Sequence, residues 1–337
     1  MNTLKSLLEY THVPVLLSEV IKLCSPHKGG NFLDCTFGGG GYTKALLDFP
    51  ETNVSALDRD KFVITYANDI KKKFPNRFNF FHEKFSNLDK INFEKKFDVI
   101  IFDLGLSSFQ LQDLSRGFSF KSKDKLDMKM GLGNLTAAEV INDFKEDSLK
   151  RVLKILGEEH EASKIVKNII KKRENKKISN TNELVDIIEK SKKKNYKKKI
   201  NASTKTFQAL RIFVNKEITE LIEGIIKSTK LLKPDGKLII VTFHSIEDKI
   251  VKYYFKNYSS NRSNPSRYMP ETKQNNLNLF ENYKNKTIQA QNLEVKKNPQ
   301  SRSAKLRYAT RSKNTFYIPK DLKLKFEKYL KLEKNYA

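Results

Sequence analysis

Asn31-Phe-Leu-Asp-Cys-Thr-Phe-Gly-Gly-Gly-Gly-Tyr-Thr43 decides the fold: an apolar strand, Asn31 to Thr36, runs into four successive glycines, Gly38 to Gly41, and a helix opens near Tyr42 or Thr43. Glycine at such a strand-to-helix turn lets the backbone come close to a ligand, because no Cβ intervenes and positive φ costs little. The turn marks a site for a nucleotide-like cofactor. A merely tight turn is the alternative, for which four glycines would be wasteful. Outward from this point, Asn53 to Asp58 (NVSALD) reads as a second strand, Lys61 to Lys73 as a helix and Arg77 to His82 as a third strand. Phe97 to Leu104 (FDVIIFDL) is an almost continuous apolar run, the mark of a strand buried on both faces. Four βα units by residue 104 predict an α/β protein built on a parallel sheet.

The periodicity then changes. From about Gln112 to Thr206 no strand is evident, and helices are predicted over Thr136–Asp143, Ser148–Leu156, His160–Lys172 and Asn182–Lys190. A helix from about Phe207 to Leu232, a Pro234-Asp235-Gly236 turn and a buried strand from Lys237 to Phe243 restore the wound pattern. The sheet domain is therefore discontinuous: residues 1–111 and 207–337 flank a helical insert over 112–206. Asn257 to Asn298 is polar and reads as a mobile loop, and Ser303 to Thr310 as a last strand.

A chain of 337 residues, 38% hydrophobic and 31% charged, has ample material for a core. No apolar run approaches a membrane span, and Met1 to Tyr10 lacks the features of a secretory signal, so a cytoplasmic location is expected. Cys24 and Cys35 form no CxxC pair and read as core residues. With His12 and His27 they match no metal-ligand spacing, so no structural metal is expected. The formal charge of +26, from 65 basic against 39 acidic residues, points to a polyanionic partner, nucleic acid first. A lysine-biased composition accounts for part of that excess, and the lysines at 192–194 and 197–199 read as a soluble linker.

Asp58 ends the second strand, where a carboxylate can accept from both ribose hydroxyls; a helix N-cap is the alternative. These features suit dinucleotide enzymes and methyltransferases alike. A nicotinamide fingerprint wants Gly or Ala at position 43, where this chain has Thr. Asp103-Leu-Gly-Leu-Ser-Ser-Phe-Gln110 ends the fourth strand with polar groups where an adenine amine and a methyl acceptor would meet. Its Gly-Leu-Ser-Ser-Phe core lacks the final glycine of a hydrolase nucleophile elbow.

The motifs together resemble the bacterial RsmH (MraW) family, methyltransferases that modify N4 of a cytidine in small-subunit ribosomal RNA. The matching segments are HVPV at 12–15, DCTFGGGGYT at 34–43, DRD at 58–60, DLGLSSFQL at 103–111, RGFSF at 116–120, LDMKM at 126–130, GEE at 157–159, TFQALR at 206–211, FHSIED at 243–248 and SRSAKLR at 301–307. They follow in family order across nearly the whole chain. The resemblance implies an α/β, Rossmann-like class I sheet of S-adenosylmethionine-dependent methyltransferases with an inserted helical domain. It implies S-adenosyl-L-methionine as cofactor, 16S rRNA of the small ribosomal subunit as partner, and a homodimer as a state that members can adopt.

Carried over residue by residue, the family's cofactor contacts fall on Gly40, Gly41, Tyr42, Asp58, Phe85, Asp103 and Gln110. Tyr42 stands where the family usually has His, and Phe109 where it usually has Pro, so side-chain roles there do not transfer. For a cytosine amino group, whose lone pair is delocalised into the ring, a hydrogen-bond acceptor would assist attack. Asp103, Ser107 and Ser108 are the candidates for that environment, and His244 is a further one with a structural role as its alternative. Arg116, Phe118 and Phe120 could contact phosphate and stack on an unpaired base, with core packing as the alternative for the rings. Arg302, Lys305, Arg307 and Arg311 form a basic cluster suited to phosphate. Two other functions stay in view: a nicotinamide-dependent oxidoreductase, and a noncatalytic RNA-binding or ribosome-assembly factor that keeps the fold.

Overall fold

The computed structural model describes residues 14–192, 201–260, 278–281 and 283–334. Met1 to Tyr10, His12, the lysines at 193, 194 and 197–199 and, within the proposed loop, residues 261–277 and 282 lie outside them. The chain divides into two compact units, Met1–Gly105 with Leu221–Lys325, and Leu106–Glu220 with Phe326–Ala337.

The first unit is built on seven strands: β1 Gly30–Asp34, β2 Thr52–Asp58, β3 Phe78–His82, β4 Phe97–Asp103, β5 Leu232–Thr242, β6 Phe280–Glu281 and β7 Lys305–Arg311. Their order is β3-β2-β1-β4-β5-β7-β6. Strands β1 to β5 pair in parallel, whereas β7 runs antiparallel to both β5 and β6. The apolar runs explain the centre: Phe32, Leu33, Ile100, Ile101, Phe102, Ile239 and Ile240 are fully buried, each worth roughly 1.5–3 kcal/mol relative to exposure. Because β1, β2 and β4 are parallel neighbours, their last residues, Asp34, Asp58 and Asp103, lie at the carboxyl end of the sheet, with Asp34 opposite Ala56 and Ile101 and so two residues short of the other two. The strand order reverses between β1 and β4, the topological point where open α/β sheets bind ligands. Helices α1 (Leu17–Cys24), α2 (Gly41–Leu47) and α3 (Ile64–Lys73) follow the first strands in the same unit. Cys24 and Cys35 are buried with free thiols.

Two expectations change here. The Pro234-Asp235-Gly236 turn is a bulge inside β5: pairing with β4 jumps from Phe97↔Leu232 to Val99↔Lys237, and Asp235 takes φ +65° to absorb the extra residues. Asn257 to Asn298 is not a loop throughout its described part. Leu279, Phe280 and Tyr283 are buried, β6 extends the sheet, and a short helix forms over Asn292–Lys297.

The second unit is helical: α4 Ser108–Gln112, α5 Ala137–Asp143, α6 Glu146–Leu156, α7 Ala162–Asn175, α8 Thr181–Ser191 and α9 Thr204–Asn215. Thr136 caps α5 through a capping box with Glu139, and Asn180 caps α8 through one with Glu183. The single helix expected over Phe207–Leu232 is two. Lys216 adopts φ +50° between α9 and α10 (Glu217–Leu231), and the Arg211 guanidinium spans the break to Glu217 at 2.8 and 2.9 Å. Asn215 supplies the cause: its amide donates to the Met128 carbonyl and accepts from the Met130 amide, both at 2.8 Å, binding the end of α9 to the LDMKM segment. Lys192, expected in a solvated linker, instead pairs with the buried Glu159 at 2.6 Å. The C-terminal helix, Glu327–Lys334, returns to this unit, where the buried Glu333 carboxylate accepts from the amides of Ile218 (3.2 Å) and Thr219 (2.8 Å) at the start of α10.

Candidate active site

The glycine run is held from beneath by carboxylates. Asp34, fully buried at the end of β1, accepts from the Thr43 hydroxyl at 2.8 Å and the Thr36 amide at 3.2 Å, bracing both ends of the turn. Burial pushes its carboxyl up to about 6 against the pull of those two donors. Thr36 in turn accepts the Asp103 amide proton at 2.7 Å, tying the loop after β1 to the tip of β4. Asp58 accepts from the Gly38 amide at 2.8 Å and the Asp60 amide at 2.9 Å. The N-cap of the following turn is Asp60, whose side chain accepts from the Phe62 amide, so the capping alternative belongs to Asp60 and not to Asp58.

Gly40 and Gly41 are required by the protein's own packing. Gly40 has φ +72°, and a Cβ there would come within 2.8 Å of Ile70; one at Gly41 would lie 2.1 Å from Pro14. Tyr42 points away from any ligand role for its ring: it is buried in the core cluster and its hydroxyl donates to the Val15 carbonyl. The residue that departs from the family's His thus anchors the segment before α1 onto the glycine loop. Phe85 is half-buried, packed edge to face on Phe102 with centroids 5.3 Å apart, and Gly224 on α10 leaves room for its ring.

Asp103 is the chemically exceptional member. Its Oδ1 is buried and has no hydrogen-bond partner among the described residues. Burial, then the charges of Asp34 and Glu247, hold its carboxyl well above the ordinary range. A buried acceptor left open at the carboxyl end of a sheet is a group waiting for a donor, since its desolvation is otherwise uncompensated. Glu247, which the sequence reading passed over, is buried on α11 (Ser245–Asn257) and accepts from the Phe243 amide at 2.9 Å and the His244 amide at 3.3 Å. His244 is the N-cap of that helix, its Nε2 3.1 Å from Glu247 Oε1, which is the structural role given as its alternative.

In the second unit, Ser107 and Gln110 form the capping box of α4: Ser107 Oγ accepts from the Gln110 amide at 3.3 Å, and Gln110 Oε1 accepts from the Ser107 amide at 3.0 Å. Ser108 is buried in the first turn, and Phe109 occupies the next position, where the family's Pro would also fit a helix start. The Arg116 guanidinium donates to the Lys129 carbonyl at 2.8 Å and stacks over Phe118, which is buried; Phe120 packs on Phe207. Burial of Phe118 and the Phe120–Phe207 contact agree with the core-packing alternative for these rings.

The C-terminal basic cluster separates in the same way. Arg307, expected at phosphate, is 5% exposed; it donates to Asp248 at 2.7 Å and to the Tyr283 hydroxyl at 2.8 Å. Arg311 is likewise buried, donating to the carbonyls of Leu279, Ser312 and Asn314. Both fasten the β7 edge. Arg302 is exposed, and Lys305 shares Asp248 at 3.2 Å while remaining partly open to solvent.

Residues 9–312 match the model of the MraW methylase family. The chain is 39% identical over 311 residues to ribosomal RNA small subunit methyltransferase H of Brucella suis, covering 91% of this chain and 89% of that protein. It is 41% identical over 302 residues to the protein of the same name from a Wolbachia strain of Drosophila simulans, covering 88% and 98%. The like-named protein of Rickettsia massiliae is 41% identical over 301 residues, covering 89% and 97%.

Proposed function

The chain belongs to the MraW methylase family, and from that premise we propose that it is an S-adenosylmethionine-dependent methyltransferase that methylates N4 of a cytidine in 16S rRNA of the small ribosomal subunit. The observation that carries the reading is the row of strand-end carboxylates, Asp34, Asp58 and Asp103, the last with a buried oxygen that has no partner among the described residues. The cofactor suits this set: its ribose hydroxyls, adenine amine and ammonium are all donors, and its sulfonium is cationic. Asp58, already ordered by the Gly38 amide, is the acceptor for the ribose, and Asp103 Oδ1 is the acceptor for a nitrogen donor. Phe85 offers an aromatic face for adenine.

S-adenosylmethionine supplies a methyl group that is already electrophilic, so the protein's share of the work is alignment and exclusion of water. Asp34 and Thr36 keep the glycine turn and the Asp103 backbone in fixed relation, which is that kind of work. The sheet unit is read as the cofactor unit and the helical unit as the RNA-recognition unit. Within the basic C-terminal segment, Arg302 and Lys305 remain as phosphate contacts, being the members open to solvent. Neither the oxidoreductase nor the noncatalytic reading is favoured by the family or by its named relatives.

The test is methyl transfer from labelled S-adenosylmethionine to small ribosomal subunits lacking the modification, followed by nucleoside mass spectrometry. One methyl per 16S rRNA, recovered as N4-methylated cytidine, is expected. Label on another base, or none on either free RNA or assembled subunits, would end this reading.

A further inference from the structure

We propose that the solvent face of α7, carrying Lys164, Lys167 and Lys171, is a phosphate-contacting surface for ribosomal RNA; the inference rests on the RNA substrate proposed above. The three lysines recur at i, i+3 and i+7, which places them in one stripe about 10 Å long. Ile165, Val166 and Ile169 occupy the opposite face and are fully buried, so the stripe points to solvent by geometry, and all three lysines are exposed.

Compositional bias does not explain the stripe. Helix α7 carries five basic residues and one acidic residue; its neighbour in sequence, α8, carries Glu183, Asp186 and Glu189 against Lys190 alone. A drift toward lysine would mark both helices. Nor does intramolecular need explain it. Arg173 on the same helix is used structurally, donating to the carbonyls of Ile141 (2.6 Å) and Phe144 (2.7 Å). Among the described residues, Lys164 alone of the stripe meets a carboxylate, Glu161 at 3.0 Å, in an exposed pair that solvent and salt readily exchange. Like charges at these spacings repel along a helix, and Lys164 lies in the first turn, where the helix dipole disfavours a cation. The arrangement works against the helix's own stability, as expected where an external anion supplies the compensation.

The chemistry of the face selects the anion. Ammonium groups are point charges without the planar fork that reads carboxylates or bases, so they fit a sequence-independent backbone of phosphates. A membrane surface would also need apolar side chains beside the cations, and the stripe has none.

The experiment compares the wild type with a triple variant, Lys164→Gln, Lys167→Gln and Lys171→Gln, and with a control of equal charge loss on exposed lysines of the other unit, Lys72→Gln, Lys95→Gln and Lys96→Gln. Binding to small ribosomal subunits is measured across a salt series, and S-adenosylhomocysteine binding by calorimetry. The stripe variant should bind subunits roughly tenfold more weakly at physiological salt, with a log–log salt slope shallower by about two; the control should move much less, and nucleoside affinity should be unchanged in both. Equal losses in the two variants, or an unaltered slope in the stripe variant while the wild type binds subunits normally, would overturn the surface. A wild type that binds no subunit would instead remove the RNA substrate, and this surface with it.

Discussion

The aspartates at the strand ends and the lysines of α7 treat charge in opposite ways. Asp34, Asp58 and Asp103 sit at the carboxyl end of the sheet, and Asp34 and Asp58 are bonded to backbone amides or a threonine hydroxyl. Lys164, Lys167 and Lys171 stand in water with, among the described residues, a single exposed ion pair between them. Local order surrounds Asp34 and Asp58, because a buried carboxylate is tolerable where hydrogen bonds fix it. The second group is unfixed, because exposed charge costs little until a partner arrives. A small rigid ligand with few contacts suits the first arrangement; a long polyanion with many weak contacts suits the second.

The contrast can be broken most forcefully at Arg307, a basic residue of the buried kind. Arg307→Ala should destabilise the fold by about 3 kcal/mol, since it leaves Asp248 partly uncompensated in the protein interior. Urea unfolding measures this; a loss below about 1 kcal/mol together with weakened subunit binding would return Arg307 to the RNA-contacting class. Next in size is Asp58→Ala, expected to weaken S-adenosylhomocysteine binding about 100-fold by removing charged hydrogen bonds to the ribose. Calorimetry giving a change of threefold or less would show that the end of β2 is not the ribose site.

Smaller still is Thr36→Val, which leaves the Asp103 amide without its acceptor and should lower cofactor affinity about fivefold, equivalent to about 1 kcal/mol. Thr36→Ser should restore it, whereas failure of serine to rescue would assign the effect to lost methyl packing. The smallest effect is expected on the exposed side. Lys167→Glu places a carboxylate between Lys164 and Lys171 and should stabilise the protein by about 0.3 kcal/mol in thermal unfolding, even as subunit binding falls. A destabilised variant would mean that Lys167 has structural work.

Much of the sheet unit was legible because its signals are local. A strand buried on both faces, such as Phe97–Asp103, must be apolar throughout, and a strand followed by four glycines announces its turn. Asp34 lay within the quoted motif, yet its role was hidden, because it depends on Thr43 and Thr36 meeting one carboxylate. The break at Lys216 was invisible: apolar spacing continues through it, and the cause, Asn215, bonds to residues 85 and 87 positions away. The C-terminal bases were misjudged for the same reason. Four cations within ten residues look alike in sequence, while Asp248, 59 positions from Arg307, decides which of them is already neutralised.

The carboxylate of Glu333 acts as a remote cap. It accepts from an amide 114 residues earlier in the chain, at the opening turn of α10. The amides of Ile218 and Thr219 belong to the first turn of α10, where no intrahelical acceptor exists, so in the folded chain Glu333 takes the place that water would otherwise fill. Removing the helix that carries Glu333 would return those amides to solvent, so the opening turn of α10 should fray while the rest of the helix persists.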